Sequence, residues 1–152
     1  MEPSSFSTIC TKTCKHELIG FLLSLSVHHP NAKVYVMCDS ESKENFDIMS
    51  YKPPLDISWH IDLDKYSNYN RQQMSQLGIW SEFQMAKSRV LDIALSEVDD
   101  CLFLDSDMVI TDKICDIDHN KDIGVSPGFI NDERVSAVGK YNGGMLLTKK
   151  KK

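Results

Sequence analysis

The sequence predicts an α/β fold in which helices flank a mostly parallel sheet. Three observations support this prediction. A strand, a helix and a second strand follow one another within the first forty residues. A later helical pattern leads directly into the apolar run 101–104. That run stops abruptly at Asp105-Ser106-Asp107, and polar side chains at the carboxyl end of a strand are where α/β sheets bind their ligands.

The first forty residues predict a β-α-β unit. Phe6–Cys10 is a short apolar run that suits a first strand. Residues 16–28 carry a wide leucine-rich stripe at helical spacing, and Pro30 ends the predicted helix. Lys33–Cys38 is rich in β-branched and aromatic residues and closes at Asp39, which indicates a second strand parallel to the first.

The rest of the chain continues the alternation. Residues 42–51 predict a short helix that Pro53-Pro54 ends, and Asp56–Ile61 alternates weakly, as a third strand would. Residues 64–76 are polar and read as a loop. Ser81 and Gln84 have the spacing of a capping box, so a long helix is expected from Ser81 to about position 98. Strand-like runs follow at 121–126 and 145–148.

Length and composition set the general limits. The chain has 152 residues, which predicts a single domain over 1–152, and 41% hydrophobic residues are enough for a core. A net charge of -5 argues against a nucleic-acid partner held by general electrostatics. The sequence shows neither a bilayer-spanning apolar segment nor a signal peptide, which favours a cytoplasmic protein.

Five cysteines in no disulfide framework indicate a reducing compartment. Cys38 and Cys101 lie in apolar runs and are expected to be buried. Cys10 and Cys14, near His16, lack the second Cys/His pair that a four-ligand zinc site needs.

The aspartate pair is the main candidate for chemistry. If the strand stays extended past Leu104, Asp105 and Asp107 point to the same side of the pleat. Two close carboxylates repel each other, and a hard divalent cation such as Mg²⁺ or Mn²⁺ between them removes that repulsion. The structural alternative is an ordinary turn, since Asp and Ser are common turn residues.

The order of these features resembles the GT-A fold of nucleotide-diphospho-sugar glycosyltransferases, in particular the glycogenin and galactosyltransferase-like group. The matching segments, over about residues 6–148, are FSTICT, FLLSLSVHHP, KVYVMCD, LFLDSDMVI and YNGGMLL. The resemblance implies a Rossmann-like sheet and a hexosyltransferase that moves a sugar from a nucleotide-diphosphate donor, most commonly a UDP-sugar. It also implies that this chain is an N-terminal part whose C-terminal acceptor half is missing.

The resemblance further implies roles for individual residues. Asp105 and Asp107 would be the catalytic metal ligands, holding Mn²⁺ or Mg²⁺ at the donor diphosphate. Lys87 in the long helix would face the donor, with Arg89 as second choice. The other donor-binding positions implied are Thr8, Thr11, Asp39, Ser106, Asn142, Gly143 and Gly144. For Asp39 the alternative is a turn at the end of a strand, and for the two glycines it is a simple glycine turn.

Two other functions remain open. The pattern around Asp105 and Asp107 also resembles the first motif of haloacid-dehalogenase-like phosphatases, in which Asp105 would be the nucleophile and Asp107 the acid/base. That family has Gly-Thr where this chain has Met108-Val109, and its motif normally opens the domain. The third possibility is a non-catalytic module that only binds a nucleotide. The acceptor is not identified by the sequence.

Overall fold

The fold is a six-stranded sheet with helices on both faces, seen in a computed structural model that describes residues 2–115, 118, 120–127 and 140–150. The strands are β1 Phe6–Cys10, β2 Lys33–Cys38, β3 Asp56–Ile61, β4 Asp100–Leu104, β5 Ile123–Pro127 and β6 Tyr141–Lys149. The helices are α1 Lys15–His28, α2 Ser40–Asp47, α3 Arg71–Gln76, α4 Trp80–Gln84 and α5 Ala86–Glu97. Short 3-10 turns cover Lys12–Cys14 and Asp64–Tyr66.

The sheet combines parallel and antiparallel strands in the order β3-β2-β1-β4-β6-β5. The pairs β3/β2, β2/β1 and β1/β4 are parallel, which confirms the predicted β-α-β opening. Strand β6 runs antiparallel to both β4 and β5. The beginning of β6 therefore lies at the same edge of the sheet as the carboxyl ends of β1, β2 and β4.

The core has two layers because β1, β2 and β4 are buried on both faces. Side chains alternate along each strand: in β4, Leu102 and Leu104 join the layer under α1, and Cys101 and Phe103 join the layer under α5. The predicted burial of Cys38 and Cys101 is confirmed. Among the described residues, no helix has the length and apolar character needed to cross a bilayer.

The expected long helix from Ser81 is two helices, α4 and α5, which meet at Met85. The predicted capping box is wrong, since α4 begins at Trp80 and has no side-chain cap. A true capping box instead starts α3, where the Asn70 side chain accepts a hydrogen bond from the Gln73 backbone and the Gln73 side chain accepts one from the Asn70 backbone. The segment 64–76 is thus partly helical rather than a loop.

Candidate functional site

The candidate site lies at the edge where β4 ends and β6 begins. Leu104, the last residue of β4, pairs with Met145 in β6, so Asp105 and Gly144 are the next residues to face each other. The Asp105 backbone N–H donates a hydrogen bond to the Gly144 carbonyl at 2.9 Å, which extends the ladder by one step. The antiparallel register thereby brings two motifs, separated by almost forty residues of sequence, into direct contact.

Lys87 joins these two motifs to helix α5. Its Nζ lies 2.9 Å from Asp105 Oδ1 and donates a hydrogen bond to the Gly143 carbonyl at 3.0 Å. The same ammonium group lies 5.1 Å from the centre of the Phe103 ring, within the range of a cation–π interaction. Only 14% of the Lys87 side chain is exposed, against 36% for Asp105, so the charge is held in place rather than freely solvated.

Gly144 is packed directly against the Asp105 carboxylate. A Cβ at position 144 would lie 3.1 Å from Asp105 Cγ and closer still to Oδ2, so the carboxylate would have to shift to admit a side chain. Asn142 supports this arrangement, since its Oδ1 accepts a hydrogen bond from the Gly144 backbone N–H at 2.9 Å. Gly143 differs, because a Cβ there would meet nothing within 4 Å. Packing against Asp105 therefore favours glycine at position 144 and places no such limit on position 143.

The second aspartate departs from the expectation. Strand β4 ends at Leu104, and the Met108 backbone N–H donates to the Asp105 carbonyl at 3.1 Å, so residues 105–108 form a tight turn. The premise that the strand stays extended is wrong, and pleat alternation does not set the direction of Asp107. Asp107 is exposed. The described part of the chain contains no group of three or more His, Cys, Asp or Glu residues able to hold a metal ion.

Asp39 caps the helix that follows β2, which agrees in part with the turn at a strand end considered for it above. It is fully buried and is the N-cap of α2, where its Oδ1 accepts from the Ser42 backbone N–H at 3.0 Å. Its Oδ2 accepts from the Lys12 backbone N–H at 2.8 Å and from Ser67 Oγ at 2.6 Å. Burial alone would raise the pKa of Asp39, but these hydrogen bonds outweigh it and hold the pKa below its usual value. A donor contact for Asp39 stays a prediction.

The threonines expected at the donor lie in and after β1. Thr8 is in the middle of the strand and is fully buried, and its Oγ1 has no hydrogen-bond partner among the described residues. Thr11 directly follows the strand, and its hydroxyl lies 3.1 Å from that of Thr13. Their contacts with a donor stay predictions.

A contact that sequence reasoning missed connects the β1 end to the aspartate turn. Ser106 is almost fully buried, and its hydroxyl donates to Cys14 Sγ at 3.9 Å. The Cys14 sulfur in turn lies 3.5 Å from that of Cys10. The Cys-x-x-x-Cys spacing signals the Cys10–Cys14 pair, which the sequence presents only as half of a zinc site, and it gives no sign of the contact with Ser106.

Of the two basic residues considered in α5, the structure brings only Lys87 to the aspartate. The Arg89 guanidinium pairs with Asp62 at 3.0 Å, where both side chains are exposed. Lys87 directly follows Ala86 and so borders the buried stripe of α5. The buried members of that stripe are Ala86, Val90, Leu91 and Ala94.

The carboxylates of Asp105 and Asp107 are the candidate ligands for a hard cation. Mg²⁺ and Mn²⁺ are often bound by one or two carboxylates when substrate phosphates supply further oxygen ligands. Asp105 and Asp107 provide carboxylates of this type at one turn. The Lys87 ammonium lies 2.9 Å from Asp105 Oδ1, so a metal ion would have to displace it from this carboxylate. The residue types therefore permit a cation that shares its coordination with a phosphate-bearing ligand, and metal binding by Asp105 and Asp107 stays a prediction.

No protein-family model and no curated protein sequence matches the chain. Solved structures do. Glycosyltransferase GlyE of Streptococcus pneumoniae TIGR4 is similar with a TM-score of 0.59 and 14% identity, over 98% of this chain and 34% of GlyE. The galactosyltransferase LgtC, solved with donor and acceptor sugar analogs, has a TM-score of 0.64 and 16% identity, over 95% of this chain and 57% of LgtC.

Mouse xyloside xylosyltransferase 1 is similar with a TM-score of 0.60 and 12% identity, over 95% of this chain and 66% of the mouse protein. The chain thus spans between a third and two thirds of the length of these proteins. All three are glycosyltransferases, which agrees with the resemblance found in the sequence and does not favour the phosphatase alternative. At this level of identity the likeness concerns the fold, and the chain has the α/β fold of the GT-A glycosyltransferases.

Proposed function

We propose that this chain binds a nucleoside-diphosphate sugar at the edge formed by Asp105, Lys87 and residues 142–144, and serves the transfer of that sugar to an acceptor. The observation that carries the proposal is the position of Lys87 Nζ, which contacts both Asp105 Oδ1 and the Gly143 carbonyl. One cationic group thereby connects the two motifs that the sequence associates with the donor. The glycosyltransferase neighbours support sugar transfer as the reaction class.

The charge at this edge suits a diphosphate. A nucleoside diphosphate leaves as a polyanion when the glycosidic bond breaks, so fixed positive charge near it stabilises the transition state. Lys87 supplies one such charge from a mostly buried position, where interactions with an anion are stronger than in water. Its ammonium can keep the Gly143 carbonyl while it exchanges Asp105 for a phosphate oxygen.

Asp105 and Asp107 are the proposed ligands of Mg²⁺ or Mn²⁺, with the donor diphosphate supplying further oxygens. The cation, when bound, acts as a Lewis acid that neutralises the departing diphosphate. Within the protein, the Gly144 carbonyl fixes the Asp105 backbone, and the absence of a Cβ at Gly144 leaves room for the carboxylate. These contacts hold Asp105 at the edge before any ligand arrives.

The segment Asn142-Gly143 is the proposed contact for the donor sugar. Both residues are exposed, and a Cβ at Gly143 would meet nothing within 4 Å, so a ligand can approach the backbone closely on that side. Asn142 already uses Oδ1 to accept from Gly144. Its side-chain NH₂ is therefore the group that would donate to a sugar hydroxyl.

Binding of UDP in the presence of Mn²⁺, measured by isothermal titration calorimetry, tests the proposal. Asp105→Asn removes the negative charge with little change of shape, and we expect it to weaken UDP binding at least tenfold. Asp92→Asn in α5 is the matched control, because Asp92 is exposed and lies more than one helical turn beyond Lys87. We expect this control to remain within twofold of the wild type, and circular dichroism checks that both variants are folded.

Equal binding of UDP by the wild type and the Asp105→Asn variant would rule out the assigned site. Hydrolysis of an aryl phosphate that is lost in Asp105→Asn would instead indicate the phosphatase chemistry. If UDP binds but UDP-sugars are neither hydrolysed nor transferred to any acceptor, the chain is a binding module. A donor-dependent product in an acceptor screen supports the transferase.

A further inference from the structure

Two cysteine side chains meet where strand β1 ends. Cys10 is the last residue of β1 and is fully buried, whereas Cys14 ends the 3-10 turn Lys12–Cys14 and is partly exposed. The Cys14 backbone N–H donates to the Thr11 carbonyl at 2.9 Å, and this turn brings the two sulfur atoms to 3.5 Å. Both thiols are free in this structure.

The sulfur atoms are close enough for covalent bonding after a small movement. A disulfide bond is about 2.05 Å long, so the sulfurs need to approach by roughly 1.5 Å. Cys38 and Cys101 lie in the same sheet and are fully buried, and burial raises the pKa of each thiol. They serve as internal references for unreactive cysteines.

The pair also divides the chemical roles. The contact with the Cys10 sulfur lowers the pKa of Cys14 to about 6, against the opposing effect of burial, and the same contact raises the pKa of Cys10. The partly exposed sulfur is thus the one favoured as the thiolate, which is the nucleophilic form, and it is also the one that a small disulfide can reach. The buried Cys10 thiol is the resolving group, which attacks the mixed disulfide formed at Cys14.

We propose that Cys10 and Cys14 form a thiol–disulfide exchange site that reacts with low-molecular-weight disulfides and closes into an intramolecular disulfide. The Cys14 thiolate attacks one sulfur of the small disulfide and releases its other half as a thiolate, which takes up a proton. Cys10 then loses its proton and attacks Cys14 Sγ, which releases the second half as a thiol. The small disulfide is reduced to two thiols, and the two cysteines are oxidised by two electrons.

The disulfide would change the surroundings of the aspartate turn. Ser106 Oγ donates to Cys14 Sγ at 3.9 Å, and Thr11 lies within the loop that the bond would close. Moving Cys14 toward Cys10 removes the Ser106 contact and tightens the backbone at Thr11. Under the proposed function, on which this consequence rests, the oxidised protein binds UDP at least fivefold more weakly. Formation of the disulfide itself does not depend on that function.

The test uses the full chain with Cys115→Ser, which removes the exposed cysteine as a competing site. The protein is equilibrated with oxidised glutathione, quenched with acid, alkylated and mapped by peptide mass spectrometry. We expect a disulfide that links Cys10 and Cys14, detected as a mass two units below that of the same residues with both thiols reduced and unalkylated. We expect Cys38 and Cys101 to be alkylated only after denaturation. Cys10→Ser should accumulate a mixed disulfide with glutathione at Cys14, because the resolving thiol is absent.

A stable mixed disulfide at Cys14 in the presence of Cys10 would overturn the proposal. So would the absence of reaction at Cys14 under conditions in which Cys115 of the unaltered chain is glutathionylated. UDP titration of the reduced and oxidised protein separates the two claims. A linked peptide with unchanged UDP affinity refutes only the coupling to the aspartate turn. A linked peptide without UDP binding in either form refutes the proposed function and leaves the exchange site established.

Discussion

Replacing Gly144 by alanine is a direct test of the site geometry, because the glycine is packed against the Asp105 carboxylate. The new Cβ would lie 3.1 Å from Asp105 Cγ and closer to Oδ2, whereas ordinary contacts begin at 3.4 Å. The carboxylate would have to move by roughly 1 Å to restore normal van der Waals separation. The neighbouring Gly143 offers a matched control, since a Cβ there meets nothing within 4 Å.

Two losses set the expected destabilisation of Gly144→Ala. Turning the Asp105 side chain away from its rotamer costs about 0.5–1.5 kcal/mol. Lengthening the ion pair with Lys87 costs about 0.5 kcal/mol more, because solvent screens a pair in which Asp105 is 36% exposed. The backbone benefit of replacing glycine by alanine is similar at both positions and cancels in the comparison. Gly144→Ala should therefore be less stable than Gly143→Ala by about 1–2 kcal/mol.

Urea denaturation without nucleotide or metal measures this difference free of any effect on ligand binding. With a slope of about 2 kcal/mol per molar urea, the midpoint of Gly144→Ala should fall about 0.5–1 M below that of Gly143→Ala. Equal midpoints would mean that Gly144 and Asp105 do not pack as described, and the arrangement of the site would then have to be abandoned.

Three further predictions concern single side chains. Lys87→Met should weaken UDP binding with Mn²⁺ at least tenfold, whereas Arg89→Met should stay within twofold because Arg89 pairs with Asp62. Burial lowers the pKa of His29, so as the pH falls the unfolded chain takes up the imidazole proton before the folded chain does. The His29 contribution to the free energy of unfolding should therefore be fully present above about pH 6.5 and decrease below it. His29→Gln should flatten this pH dependence in urea titrations. Asp39→Asn should cost about 1–3 kcal/mol at pH 7, and the difference from wild type should shrink below about pH 4, as the wild-type carboxyl becomes protonated.

Sequence periodicity predicted most of the fold because the buried strands carry local signals. Phe6–Cys10, Lys33–Cys38 and Asp56–Ile61 were predicted at the bounds that the structure gives them. The pairing of β4 with β6 could not be predicted from local pattern, because the two strands are almost forty residues apart and their pairing is set by tertiary structure. Helix starts were less certain. Two segments have capping-box spacing, and only Asn70 with Gln73 uses it, because Ser81 already lies inside α4.

The sequence predicted those parts of the site in which one residue needs a particular neighbour. Asp105 and Gly144 depend on each other in space, and both were expected at the donor. The direction of Asp107 was not predictable, because the turn over 105–108 replaces the extended geometry that the argument assumed. The contact between Ser106 and Cys14 joins two loops distant in sequence, so no local pattern could reveal it.

The contact between Lys87 and Asp105 gives the resting molecule its own counter-charge. Folding should therefore proceed in chelating buffer, and purified protein should stay native without added salts of manganese or magnesium. An incoming ion would compete with an amine that is already in place, so free metal alone would occupy the edge weakly. Nucleotide and ion would then load as one unit, each raising the affinity for the other.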